Sequence, residues 1–330
     1  MNRFGRVLVT GGAGYVGAAL VPALLARGYA VNVLDLYLYG TEVFAEQRGP
    51  ALLEIAGDIR DPDAVARALD GADAVIHLAC ISNDPSYDLD PALGRSINYD
   101  AFRPLVGAAK AAGVKRFVYA SSSSVYGVKA ERDVHEDLPL EPLTDYSKYK
   151  ALCEDVLGRE REPGFTTVTV RPSTVCGWSP RLRLDLVVNI LAAHAWHNHR
   201  IRVFGGDQMR PNIHIADMVG VYLDLLDQPD AAIDGDVFNA GYENRTVNEL
   251  AQIVRDAVGG AIEIDVVPTD DNRSYHVSSA KMRRVLGFVP RFTIEDAVRD
   301  LCEAFASGKV GAMNDPMYHN IHRMRDANLR

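Results

Sequence analysis

The first half of the chain alternates short apolar runs with longer stretches whose apolar positions recur at helical spacing. Arg6–Thr10, Val31–Asp35, Leu52–Ala56, Ala74–Ala79 and Lys115–Ala120 read as strands, with helices at Gly14–Arg27, Asp61–Leu69 and Pro91–Ala111. Each strand is a continuous apolar run, which suits a sheet covered on both faces. Strands alternating with helices predict βαβ units and an α/β, doubly wound parallel sheet. After residue 172 the texture changes. A loop rich in Pro, Ser, Gly and Arg, Pro172–Arg183, leads into a helical pattern at Leu184–Asn198 and short strands at Ile201–Phe204 and Ile213–Ile215. Val237–Asn239 is expected to return to the large sheet, and residues 246–310 read as helix, strand and helix. The tail, 311–330, has weak periodicity and reads as either an ordered extension or a loose end. The pattern thus divides into residues 1–172, which carry the large sheet, and a smaller portion, 173–330.

Composition narrows the class. With 330 residues, 48% hydrophobic and 24% charged, the chain is neither disordered nor a coiled coil. Its net charge of −9 includes no basic block, which argues against duplex nucleic acid as a partner. No stretch approaches the roughly 18 apolar residues of a membrane span, and Val7–Val9 is too short for a secretory signal core. Cys80, Cys153, Cys176 and Cys302 sit far apart without CxxC spacing, so a reduced, cytoplasmic protein is expected. His194, His197 and His199 lack a carboxylate or cysteine to complete a ligand set, and no metal is expected. Cys80 and Cys176 read better as small buried hydrophobes than as site residues.

The strongest local signal is Thr10-Gly11-Gly12-Ala13-Gly14-Tyr15-Val16-Gly17, between a predicted strand and a predicted helix. Gly11, Gly14 and Gly17 would permit a tight turn, bring backbone amides to a pyrophosphate, and let the helix pack on the sheet. Asp35 ends the second strand. An acid there accepts hydrogen bonds from the adenosine ribose and repels a 2′-phosphate, favouring NAD over NADP. Asp58, after the third strand, reads as an adenine contact or as a cap for the next helix.

Tyr146 and Lys150 stand at i,i+4 on one face of a predicted helix. An ammonium beside a phenol lowers its pKa toward a usable base. Alone, this spacing is weak. Its context is Ser121-Ser122-Ser123-Ser124-Val125-Tyr126-Gly127, at the end of the fifth strand, where sites of open parallel sheets lie.

With these residues the chain resembles the extended short-chain dehydrogenase/reductase family, in its nucleotide-sugar epimerase/dehydratase branch. The likeness covers nearly the whole length, including His77-Leu78-Ala79, Asn98, Arg171-Pro172 and Arg210…His214…Asp217. It implies a Rossmann-type NAD-binding domain in 1–172 and a mainly substrate-binding portion in 173–330. It further implies Tyr146 as acid/base, Lys150 as ribose ligand and tuner of Tyr146, and Ser122 as the hydroxyl that orients the proton. Cofactor contacts are implied at Gly11, Gly14, Tyr15, Val16, Gly17, Asp35, Asp58, Ile59, Leu78, Ala79, Asn98 and Lys150. Substrate contacts are implied at Ser123, Arg181, Arg210, Arg273 and Tyr275, the arginines 210 and 273 toward a diphosphate. For both of these a surface ion pair is the plainer alternative. Arg181 and Arg183 fit either an anionic sugar substituent or a solvated loop. The chain has Pro268-Thr269-Asp270-Asp271 where many relatives carry Arg-Pro-Gly-Asp. Tyr275 matches a position where a large aromatic excludes bulky 2-acetamido groups.

The reaction is narrowed by what the serine run omits. Dehydratases of the family carry Thr-Asp-Glu there, and three serines supply neither the acid nor the base. Its 3,5-epimerases place Cys and His where Ser124 and Ser179 stand. The expectation is NAD-dependent hydride chemistry at a secondary alcohol, most simply 4-epimerisation of a nucleotide-diphosphate sugar. A one-way C4 oxidoreductase and a non-catalytic sensing module are the alternatives. Apolar stripes at Phe102, Leu105 and Val106 and at Leu152 and Val156 are expected, from the resemblance, to pair two copies as a homodimer.

Overall fold

Seven strands hydrogen-bond in parallel: β1 (Arg6–Thr10), β2 (Ala30–Asp35), β3 (Leu52–Ala56), β4 (Ala74–His77), β5 (Arg116–Ala120), β6 (Thr166–Pro172) and β10 (Asp236–Ala240). Their order is β10-β6-β5-β4-β1-β2-β3 in a computed structural model that describes residues 2–131, 133–270 and 274–327. The order reverses between β1 and β4, which pair with each other, so the crossovers before and after that point run to opposite sides. Apolar residues of β1, such as Val7 and Val9, face one buried cluster while Leu8 faces another. That two-sided burial is why the strands carry no polar alternation. The returning strand β10 pairs with β6 from Asp236↔Val168 to Ala240↔Pro172.

The remaining strands form two small sheets. β7 (Thr174–Cys176), β9 (Met209–His214) and β11 (Glu243–Thr246) make one, and β8 (Arg200–Phe204) with β12 (Glu263–Val267) the other. Three helices, Val187–Asn198, Val247–Val258 and Ile294–Ala306, pack beside them. Leu191, Leu250 and Leu301 belong to the same apolar cluster as Val7 and Val9 of β1, so the two portions share one core.

Several boundaries differ from the sequence pattern for local reasons. The stretch expected as one helix over 91–111 is a short helix Pro91–Arg95, a π turn Ser96–Asp100 and a helix Phe102–Ala111. Pro104 has no N–H to continue the ladder, and the extra residue of the π turn absorbs the break. The strand expected at Ile213–Ile215 ends at His214, whose Nδ1 accepts the Ala216 N–H and starts a helix at Ile215. The tail forms a turn at Pro316–Tyr318 and a helix Asn320–Ala327, with Asn320 and Met324 buried. Phe102, Leu105 and Val106 are covered by the chain's own sheet and cannot meet a second copy, which corrects half of the expected dimer stripe.

One buried ion pair ties this frame together. Arg171, at the end of β6, donates from Nη2 to Glu154 of helix Asp145–Arg159 at 2.6 Å, and from Nη1 to the Tyr126 hydroxyl at 2.6 Å. The side chains are 5% and 8% exposed. Tyr126 in turn donates to Asn239 of β10 at 2.8 Å. Removing one partner strands a buried charge. Arg171→Met is therefore expected to cost about 3–5 kcal/mol of unfolding free energy, and adding Glu154→Leu should recover a large part. Urea unfolding of the single and double variants checks this; equal loss in both would contradict it.

Candidate active site

The carboxyl ends of the parallel strands open into one cleft. At its first end lies the glycine turn. Gly11 has φ +71°, and a Cβ there would stand 2.6 Å from the Ala79 amide nitrogen. At Gly17 a Cβ would meet the Gly12 carbonyl oxygen at 2.3 Å, so only glycine lets the helix Gly17–Ala26 start this close to β1. At Gly14 a Cβ would meet only the Gly11 oxygen, at 3.1 Å, on the cleft side. The helix begins at Val16 without a side-chain cap. An uncapped helix start behind a side-chain-free turn fits a pyrophosphate. Asp35 lines the same end, where its carboxylate accepts the Ala13 N–H at 2.9 Å and the Tyr37 N–H at 2.8 Å. Burial raises its pKa above the ordinary carboxylate value, against the pull of those amides. These residues fit a dinucleotide with free ribose hydroxyls.

Tyr15, Val16, Ile59, Leu78 and Ala79 also line this cleft, as does Asp58. Asp58 accepts the Arg60 N–H at 2.8 Å and pairs with its guanidinium at 2.7 Å, which holds the carboxyl low against its own partial burial. The cap of the following helix is Asp61, so Asp58 is free of that role. Asn98 differs from expectation. Its Oδ1 accepts the Ile81 N–H at 2.8 Å and its Nδ2 donates to the Ile81 oxygen at 3.0 Å. Both ends of the amide brace the loop after β4, so Asn98 positions the cleft wall instead of lining it.

The chemistry-bearing end is built by helix Asp145–Arg159. A capping box fixes its start: Thr144 Oγ1 accepts the Ser147 N–H and Ser147 Oγ accepts the Thr144 N–H. Thr144 Oγ1 also donates to Asp84 at 2.6 Å. One turn along, Lys150 Nζ donates to the Ala120 carbonyl of β5 at 2.7 Å and lies 5.9 Å from the centre of the Tyr146 ring. Ser122 caps the short turn Ser123–Tyr126, with its Oγ 2.8 Å from that of Ser124, and lines the same cleft as Tyr146. Ser123 is buried at the wall of the cleft. Burial holds the Tyr146 phenol well above its ordinary pKa, helped by Cys80 and Asp84, while Arg183 and the Ser122 hydroxyl oppose it. The expected lowering by Lys150 alone is thus not realised: its ammonium is turned to a carbonyl, and desolvation dominates.

A second cleft joins the first at Asn83, Asp84, Thr174, Leu186 and Tyr275. Arg210 and Thr269 line it, and the Arg210 guanidinium lies 5.6 Å from the Tyr275 ring centre. Arg273 lies outside the described residues. Arg181, expected near the substrate, lines the first cleft, with its guanidinium 3.5 Å from the centre of the Tyr39 ring. Arg183 pairs with Asp185 through Nε and Nη2, at 2.8 and 3.1 Å, so it is no solvated loop residue. His214 and Asp217 serve the frame: Asp217 accepts the N–H groups of Arg291 and Phe292 at 2.9 Å. Cys80 lines the first cleft and Cys176 is buried. His194 lines the second cleft, His197 packs on Phe305, and His199 ends a helix in the left-handed conformation. Sequence reasoning missed Tyr39, Asn320 and Met324, which line the cleft without any motif.

A parallel sheet with this turn, this acid and a Tyr/Lys pair at its carboxyl edge defines a dinucleotide-dependent enzyme of the short-chain dehydrogenase/reductase kind. Comparison with known proteins narrows that class. Residues 7–241 match the NAD dependent epimerase/dehydratase family, and the chain belongs to it. A UDP-glucose 4-epimerase from Lactobacillus helveticus is 28% identical over 314 residues, covering 89% of this chain and 94% of that protein. A 3-beta-hydroxysteroid dehydrogenase from Mycolicibacterium neoaurum is 30% identical over 341 residues, covering 90% of each. The crystal structure of UDP-glucose 4-epimerase with UDP-glucose from Thermotoga maritima superposes with a TM-score of 0.83 at 25% identity, covering 92% of this chain and 99% of that one.

The enzyme is NAD-dependent, as its family is. Among the described residues no helix is long and apolar enough to cross a membrane. With its carboxylate at the ribose end, Asp35 is expected to make NAD bind roughly tenfold or more tightly than NADP. Asp35→Asn should narrow that ratio. Titration of both dinucleotides into the protein freed of cofactor checks it, and equal affinities in the parent would refute it.

Proposed function

We propose that the protein is an NAD-dependent epimerase acting at C4 of a nucleotide-diphosphate sugar, through a 4-keto sugar. The observation that carries this reading is that Tyr146, Lys150 and Ser122 line one cleft beside a serine turn that supplies no carboxylate. Bound NAD would supply a hydride acceptor and donor and, in its oxidised form, a positive ring. Tyr146 takes the proton from a secondary alcohol and returns it. Ser122 orients that proton. Lys150, anchored on the Ala120 carbonyl, holds the ribose edge and keeps a cation near the phenol. Because burial holds the phenol protonated, Tyr146 acts as a base only once positive charge joins it in the closed site. The second cleft, with Arg210 and Tyr275, suits the nucleotide diphosphate, and it meets the first at Thr174 and Leu186. A one-way oxidoreductase at a secondary alcohol is the second reading, favoured by the likeness to the steroid dehydrogenase.

Isotopes separate the two. In deuterated water the epimerised sugar should carry no deuterium on carbon, and a substrate deuterated at C4 should keep its label. Deuterium at C3 or C5, or a product lighter by one water, would overturn the reading. Loss of the C4 label with stoichiometric use of added dinucleotide would favour the one-way reaction. On the same substrate Tyr146→Phe should retain NAD and lose turnover roughly 100- to 10,000-fold.

We also propose a cytoplasmic homodimer. Tyr149, Leu152 and Val156 share one face of helix Asp145–Arg159 and remain only partly buried, with the Tyr99 ring tilted against that of Tyr149 at 5.3 Å. Such a face pairs with its own copy about a two-fold axis. Light scattering should give twice the 36.1 kDa of one chain, and Val156→Asp should shift it toward monomer. A parent that is monomeric at micromolar concentration would refute this.

A further inference from the structure

The cleft also holds a buried cation that makes no direct ion pair among the described residues. Arg181 is 4% exposed. Its Nη2 donates to Asn320 Oδ1 at 2.5 Å, and its guanidinium lies 3.5 Å from the centre of the Tyr39 ring. Its Nε is buried without a hydrogen-bond partner. The neighbouring Asp185 already has both oxygens on Arg183, and Asp35 accepts two backbone amides. Among the described residues no ion pair includes Arg181. Burial accordingly pulls its pKa down to about 10. A guanidinium stripped of water, with Asp185 and Asp35 acting on it only at longer range and no direct ion pair, is costly, and a bound anion relieves that cost.

Its location decides which anion. Ser179 Oγ donates to the Tyr15 carbonyl at 2.7 Å, and the Tyr15 hydroxyl donates to the Gly177 carbonyl at 2.6 Å. These bonds lay the loop before Arg181 against the glycine turn. Arg181 lines the cleft of that turn and does not line the second cleft with Arg210. The anion that belongs beside the glycine turn and the uncapped helix start is a dinucleotide pyrophosphate.

The group that holds Arg181 comes from the far end of the chain. Asn320 is 4% exposed, and its Nδ2 donates to Ser82 Oγ at 3.0 Å. Arg323 Nε donates to the Leu38 carbonyl at 2.6 Å, Met324 belongs to the apolar cluster against which Leu38 and Ala79 pack, and the Tyr318 carbonyl accepts the Leu184 N–H. The tail therefore touches the loops after β2 and β4 and the loop of Arg181 itself.

We propose that Arg181, presented by Asn320 of the C-terminal segment, is the cationic anchor for the pyrophosphate of bound NAD, so that docking of the tail and retention of the cofactor are one event. This rests on the NAD dependence of the family and not on the reaction proposed above.

The test needs no turnover. Isothermal titration of the full-length protein, freed of cofactor, compares NAD, ADP, adenosine and UDP. Arg181→Met is expected to weaken NAD and ADP about 10- to 100-fold, the scale of a charge-assisted hydrogen bond, and adenosine less than about twofold. Arg181→Lys should restore part of the loss. Equal loss for adenosine would mean a merely structural role, and weaker UDP binding with NAD unchanged would mean an anchor for the substrate; either overturns the proposal. Asn320→Ala leaves the cation in place and gives a second route should Arg181→Met fail to fold. It is expected to speed release of NAD several-fold, and an unchanged release rate would overturn the role of the tail.

Discussion

The buried pair between Arg171 and Glu154 joins what the chain synthesises separately. Arg171 ends β6, Glu154 lies one turn beyond Lys150 on helix Asp145–Arg159, and Ser121 of the serine turn donates to the same carboxylate. Through the Tyr126 hydroxyl the network reaches Asn239 on β10, the strand that arrives last. A helix packed only by apolar contact could rotate or slide by a fraction of a residue. A bidentate charge pair with both partners desolvated has one good geometry. The placement of Tyr146 and Lys150 over the strand ends depends on it.

Desolvation is the second constraint, and it acts on function. The same burial that excludes water from the cleft holds the Tyr146 phenol protonated and leaves the Arg181 guanidinium short of counter-charge. Each group is unfavourable as it stands and is relieved by charge of the sign its chemistry needs. The phenol wants a cation nearby and the guanidinium an anion. A dinucleotide with a positive ring at one end and a pyrophosphate at its middle carries both. The cleft is in this sense preorganised toward its cofactor at both ends.

Likeness to relatives determines less than these groups do. An epimerase and a steroid dehydrogenase stand at nearly the same identity to this chain. What the chain shares with both is therefore the NAD-dependent frame of the family, and relatives of different name stand on it. In the second cleft Tyr275 and Arg210 stand against each other, and Pro268 stands where the more usual motif begins with arginine.

The sequence by itself determined the parallel sheet, because continuous apolar runs between helical patterns have few other uses, and the positions of β1 and β3 were legible to the residue. It also marked the glycine turn, Asp35, the serine turn and Tyr146 with Lys150, since each is a local pattern whose spacing carries its geometry. Only tertiary structure decided the rest. Asn98 looks like a ligand in the chain and is a brace in the fold, because its partner Ile81 is seventeen residues away. Arg181 carries no mark that distinguishes it from Arg183, yet one is paired and the other is not, because Asp185 can satisfy only one guanidinium through both oxygens. The tail had too little periodicity to declare itself, and it became part of the cleft through contacts with loops more than 100 residues distant, such as Asn320 with Arg181 and Arg323 with Leu38. Local spacing encodes turns and helix faces; the neutralisation of a buried charge depends on which groups the whole chain brings within reach.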